Sequence, residues 1–296
     1  MARRESHWVK VVSTQSNIRG VALDATELVR SLAELHNIKG EDARALGEAT
    51  MGALLTACYC RAGERVNLNI QGTGVVKQAL IEAYPEGSAR GYIIPRGPDE
   101  IIAPISEDIG PWGSGLLSVL KTQDQEAQKP YVGTVPLVTG HLAKDLTFYW
   151  HQSEQVPSAV GLVVNLAREK VVSAGGFLVQ AMSGATSDDI KIIDQHIHEI
   201  DSLGKMISSD PKPMSILAQI FQDTPFLIVE DRPVHTECRC SWNRVRRALT
   251  LVGVAEMRAM LEEKGATVRC DFCTKEYKVD PDLLNELINA SSSAKK

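Results

Sequence analysis

Two periods of apolar and polar residues run through the chain, and the switches between them mark its elements. Residues 9–12 and 18–22 read as opening strands. Ala25, Leu28, Leu32 and Leu35 then recur at helical spacing, with Asp24 as N-cap and Gly40 ending the helix. A second helix, rich in small residues, is predicted over 41–60. Val66, Leu68 and Ile70 alternate with Asn67, Asn69 and Gln71, the mark of a half-buried strand. Gly72-Thr73-Gly74 follows as a turn, because Lys77 stands where a dinucleotide fingerprint needs its third glycine. Proline- and glycine-rich stretches over 84–115 separate short strands at 92–94 and 101–102. Segments 116–121 and 131–137 predict a hairpin with a long mobile tip over 122–130.

Leu142, Leu146, Tyr149 and Trp150 share one face of a helix over 142–155, which Pro157 stops. Segments 159–167 and 171–182 form another hairpin turned at 168–170, where Gly175-Gly176 marks a bulge or a close backbone approach. Residues 1–183 thus read as the N-terminal mixed sheet-and-helix domain of an α+β protein. Over 184–236 the character changes to a helical linker. Ser187, Asp188 and Asp189 cap a helix whose Ile190, Ile193, Ile197, Ile200 and Ile207 fall on a heptad, with Gly204 as the gap. After Asp210-Pro211-Lys212-Pro213 a shorter helix covers 214–222. Such a stripe is not stable alone and must lie on something. It is either a packed connector or one that docks in one state and exposes apolar surface in another. Residues 237–296 form a small last domain, with helices at 243–251 and 254–264, a knuckle-like hairpin over 268–279, and a final helix capped by Asp280-Pro281.

That last domain holds the chemistry. Four of the six cysteines stand there as Cys238-Arg239-Cys240 and Cys270-Asp271-Phe272-Cys273, with 29 residues between the two pairs. Two short-spaced pairs are the usual way to build a tetrahedral Zn²⁺ site of four thiolates at about 2.3 Å, and so small a domain needs the metal to fold. The first pair is C-x-C, whose β-carbons would lie about 6.5 to 7 Å apart on an extended strand, so the chain must bend there. Each pair can also close into a disulfide, since thiolates are the form an oxidant attacks. A structural zinc and a redox-active zinc both remain open at this point. Cys58 and Cys60 end an apolar helix and read as buried small hydrophobes. Arg232, Arg239, Arg244, Arg246 and Arg247 face only Glu237 within 232–247. They read either as a phosphate-binding patch or, preferably, as compensation for the charge of a four-thiolate zinc.

Composition narrows the function classes. With 296 residues, 44% of them hydrophobic, the chain has room for one large domain and a small one. A net charge of −5 gives no general attraction to nucleic acid or anionic lipid. No run approaches a membrane span of about 18 apolar residues, and residues 1–20 carry no signal-peptide core. A soluble, cytoplasmic protein is expected. Neither H-E-x-x-H, G-x-S-x-G nor a complete P-loop occurs, which argues against an enzyme and against ATP as a partner. A zinc-ribbon nucleic-acid or interaction module with a purely structural zinc stands as the alternative; the acidic total and the few nearby aromatics, Trp242, Phe272 and Tyr277, weigh against it.

Over essentially its whole length the sequence resembles the bacterial redox-regulated heat-shock chaperones, the 33 kDa chaperonin family. The resemblance rests on the C-x-C and C-x-x-C pairs, on Ser153-Glu154-Gln155-x-Pro157-Ser158, on Gly175-Gly176-Phe177-Leu178-x-Gln180, and on Ser241 directly after the first pair. It departs at Asn243, where the family commonly has a glutamate. The resemblance implies domains 1–183 (client binding and dimerisation), 184–236 (metastable linker) and 237–296 (zinc switch). It further implies one Zn²⁺ per chain on Cys238, Cys240, Cys270 and Cys273 in an inactive, reduced form. Oxidation would form Cys238–Cys240 and Cys270–Cys273, release zinc and undock the Ile190, Ile193, Ile197, Ile200 stripe. The protein would then hold unfolding clients as a homodimer without ATP.

Overall fold

The computed structural model describes residues 5–97, 100, 109–123 and 130–293. The chain divides into two units, Met1–Glu237 and Cys238–Lys296. The first begins with antiparallel strands β1 (His7–Ser13) and β2 (Ile18–Asp24). Helix α1 (Thr26–His36) has Ala25 as its N-cap; Asp24 closes β2 instead, and its Oδ1 accepts the Thr26 N–H at 3.1 Å. The helix stops at Asn37, which takes a left-handed φ of 51°. Asparagine tolerates that conformation, so Gly40 is not the stop. It opens α2 (Gly40–Ala57) instead. This helix is buried along nearly its whole surface, which its alanines, glycines and threonines allow.

Strands β3 (Glu64–Gly72), β4 (Val76–Ala83), β5 (Ser88–Pro95), β6 (Gly115–Gln123) and β7 (Tyr131–Leu137) follow in a six-stranded sheet. The expected strand at 101–102 and most of the 122–130 tip lie outside the described residues. Helix α3 (Leu142–Gln152) precedes the hairpin of β8 (Ser158–Ala167) and β9 (Lys170–Ala181). The irregularity in that hairpin falls at Asn165/Leu166, not at the glycines. Gly175 marks a close approach, since a β-carbon there would meet the Leu23 carbonyl oxygen at 2.7 Å.

The segment after residue 183 departs from the expected continuous helix. Thr186, not Ser187, is the N-cap of α4 (Ser187–His198), in a capping box with Asp189. The helix ends at His198, so Ile200 follows it and Ile207 belongs to the separate α5 (Leu203–Ser209). Ser202 caps α5 by accepting the Lys205 N–H at 3.2 Å, which starts a separate helix. After α6 (Pro213–Phe221) the chain forms strand β10 (Phe226–Pro233) and the short β11 (His235–Thr236). Residues 184–236 are therefore not wholly helical. Phe226, Leu227 and Ile228 satisfy their backbone by pairing antiparallel with Ser13, Val12 and Val11 of β1, and Val229 falls at a register shift.

The result is a five-stranded sheet in the order β10-β1-β2-β9-β8 and a second in the order β11-β5-β4-β3-β6-β7. The central strands of the first, β1, β2 and β9, are covered on both faces, which explains why they read as near-continuous apolar runs, whereas Leu227, Ile228 and Val229 of the edge strand β10 are exposed. Trp8, Val21, Leu23 and Leu178 point into the main core with α1 and α2. Their alternates Val9, Val11, Ala22, Phe177 and Val179, with Ile18, lie in a second core beneath α4, α5 and α6. Phe221 can lie on this face because residue 20 is glycine: a β-carbon there would stand 2.9 Å from the ring.

The second unit carries α7 (Trp242–Val252), α8 (Val254–Glu262), the hairpin β12 (Ala266–Arg269) and β13 (Glu276–Val279), and α9 (Pro281–Ser293). Asp280 caps α9 by accepting the Leu283 N–H at 2.9 Å. Its core is small, built on Val245, Leu249, Met257, Tyr277, Val279 and Leu284. Among the described residues no helix is long and apolar enough to cross a membrane.

Candidate metal centre

The four cysteines of the second unit meet at one point. Cys238 and Cys240 lie on the irregular chain leading into α7, whose first turn Ser241 caps through the Arg244 N–H. Cys270 and Cys273 come from the turn joining β12 to β13. That turn is closed by Cys270 N–H to Lys275 O at 2.9 Å and Thr274 N–H to Cys270 O at 2.8 Å, with Thr274 left-handed at φ 59°. All four Sγ atoms lie within 4.8 Å of one another.

Cys238 Sγ is 3.7 Å from Cys270 Sγ, and Cys240 Sγ is 3.4 Å from Cys273 Sγ. Four sulphurs around one Zn²⁺ at about 2.3 Å stand about 3.8 Å apart, whereas a disulfide needs about 2.05 Å. The thiols are unlinked, and the donor set fits a tetrahedral thiophilic ion. Both of these contacts join one sequence pair to the other, while Cys240 also bonds Cys238 and Cys270 also bonds Cys273, so the four sulphurs form one cluster.

The surroundings treat the four unequally. Burial opposes ionisation of Cys240, but the hydrogen bond that Tyr277 Oη donates at 3.1 Å, with those of the neighbouring thiols, brings its thiol down to about 7. Burial and the adjacent sulphurs push the Cys273 thiol up to about 12. Burial also raises Cys270. Tyr277 is held by an edge-on contact with Trp242 at 5.0 Å and lies under Lys275 Nζ at 5.1 Å. In the sequence Tyr277 stands only as a nearby aromatic, and its alternation with Val279, which turns both inward on β13, is the signal that places it.

The arginine run divides. Arg246 forks onto Glu286 at 2.7 and 3.3 Å, and Arg232 pairs with Glu230 at 3.1 Å, so these two charges are engaged with carboxylates. Cys58 is buried at the end of α2, its thiol pushed up to about 12 chiefly by burial, and Cys60 is half-buried beside it. Along the isoleucine stripe Ile193 is 5% exposed and Ile190 36%, while Ile197 and Ile200 pack at the margin of the second core.

Comparison with known proteins places this architecture. The model of the family described as Hsp33 protein matches residues 6–280. The chain is 33% identical over 286 residues to the 33 kDa chaperonin of Streptococcus thermophilus, covering 95% of this chain and 98% of that one. It is also 33% identical over 297 residues to that of Clostridium botulinum, covering 97% and 98%. The crystal structure of the 33 kDa chaperonin (heat shock protein 33 homolog) from Thermotoga maritima superposes with a TM-score of 0.85 at 26% identity, over 97% of this chain and 99% of that one. With the cysteine cluster and the α+β fold, these matches establish that the chain belongs to the Hsp33 family.

Proposed function

We propose that this chaperone is a redox-switched, ATP-independent holdase rather than an enzyme. Cys238, Cys240, Cys270 and Cys273 hold one Zn²⁺ in the reduced, inactive form. That ion would supply cross-links to a unit whose own core is too small to be secure. Oxidation links Cys238 to Cys240 and Cys270 to Cys273, releases the metal and unfolds residues 237–296. The connector, 184–236, then leaves the sheet of the client-binding domain, 1–183, and the homodimer holds unfolding cytoplasmic proteins on the apolar surface laid bare.

The observation that carries this reading is the cover on the second core. Val9, Val11, Ile18, Ala22, Phe177 and Val179 form an apolar sheet face, and α4, α5 and α6 lie over it. Of the stripe on α4 only Ile193 is fully buried, which supports marginal docking. An uncovered face of this kind binds apolar segments without sequence preference. The test compares zinc content, free thiols and suppression of a denatured client's aggregation before and after peroxide treatment at mildly unfolding temperature. All three should change together; activity that appears with zinc and thiols intact would refute the switch.

A further inference from the structure

Between α4 and the sheet lies a cavity of about 260 Å³. Ile18, Val179 and Ala181 of the sheet contribute one wall, and Ile190, Ile193 and Ile197 of α4 the opposite one. The hydroxyls that reach it are already engaged. Thr147 Oγ1 donates to Ala143 O at 3.0 Å and accepts the Val160 N–H at 3.2 Å. Ser158 Oγ donates to Val156 O at 2.9 Å and accepts from Gln180 Nε2 at 3.0 Å. The remaining polar groups, His151 and Asp194, are solvent-exposed, Asp194 to 64%, and so belong to the rim.

We infer that this cavity is a binding site for a small, neutral, apolar molecule, and that its occupant clamps α4 onto the sheet. Walls without spare hydrogen-bonding partners do not hold water well. An enclosed apolar cavity of about 150 Å³ takes benzene; this one opens to solvent at its rim and, at about 260 Å³, has room for a two-ring hydrocarbon. His151 and Asp194 stand only at the solvent-exposed rim, so a charged group of either sign seated among the isoleucines would be desolvated without a partner. Because one wall is α4 itself, the site exists only while the connector is docked. A ligand that binds the docked state alone stabilises it by mass action. The binding claim stands on the cavity; its regulatory consequence rests on the switch reading above.

The test titrates naphthalene into reduced, zinc-loaded full-length protein, followed by methyl NMR of the isoleucines and by limited proteolysis. Saturable shifts are expected at Ile18, Ile193 and Ile197. At ten times the dissociation constant, cleavage within 184–221 should slow about elevenfold, as one plus the ratio of ligand to dissociation constant requires. Ala181→Leu and, as an independent variant, Ala159→Leu grow into the cavity and should abolish the shifts. The inference is overturned by absence of a saturable shift, by shifts that persist in both folded variants, or by binding that leaves cleavage unchanged. If oxidation fails to speed connector cleavage in ligand-free protein, the switch reading falls, while the methyl shifts still decide the cavity.

Discussion

Ile193→Asp separates the cover from the metal, because it weakens α4 without touching the cysteines. Ile193 is 5% exposed and packs in the second core with Phe177, Val179 and the residues of α6. Removing its burial costs about 1.5 to 3 kcal/mol, and desolvating an aspartate in its place adds further cost. A marginally docked segment opens at only a few kcal/mol, well below the global unfolding free energy, so the connector of the reduced, zinc-loaded variant should be largely undocked. The assay pairs suppression of a denatured client's aggregation with protease mapping. Activity without oxidant is expected, together with faster cleavage within 184–221. Ile192→Asp is the control on the same helix: Ile192 is 47% exposed, and this variant should stay close to wild type. If Ile193→Asp is cleaved rapidly yet stays inactive, undocking does not expose the client surface.

Other consequences are equally direct. Cys270→Ser should lose most of the zinc that reduced wild type carries, whereas Cys58→Ser, at the end of buried α2, should retain it; equal metal content in the two variants contradicts the four-ligand site. Gly20→Val should resemble Ile193→Asp, because even a β-carbon at that position stands 2.9 Å from the Phe221 ring and α6 must lift; an unchanged protease pattern refutes that packing. Burial pushes the Glu48 carboxyl from 4.5 up to about 7, with Arg44 opposing the shift. With its folded-state value raised above the unfolded one, this group's contribution to stability is fully present below about pH 4.5 and is lost as pH rises through 7, by on the order of 2 to 3 kcal/mol. Glu48→Gln should therefore gain stability over wild type in urea melts as pH goes from 5 to 8, and a pH-independent difference would count against it.

The elements that sequence exposes and those it hides differ for physical reasons. Alternation in β3 and helical spacing in α1 are local signals, and each coincides with an observed element. Strand β4 was missed because Val-Lys-Gln-Ala-Leu-Ile-Glu-Ala suits a helix, yet its place between β3 and β5 makes it a strand: tertiary pairing overrides weak propensity. Strand β10 lay hidden in a segment read as connector, since its partner β1 is more than two hundred residues away in sequence. At the metal centre the cysteine spacing pointed to the four residues. It did not reveal the contacts between the pairs or the Tyr277 hydrogen bond, which arise only once the β12–β13 hairpin is folded.

Disulfide connectivity tests the central claim most directly. In the folded, reduced centre each sulphur touches the other pair as well as its own, with Cys238 to Cys270 at 3.7 Å and Cys240 to Cys273 at 3.4 Å, so oxidation of an intact site yields cross-links between the pairs among its products. A switch that unfolds before it locks favours the shortest loops instead. Mass spectrometry of digested, peroxide-activated protein, sampled as zinc is released, should find Cys238–Cys240 and Cys270–Cys273. Predominant Cys238–Cys270 and Cys240–Cys273 links in active protein would contradict unfolding of the zinc unit as the activating step.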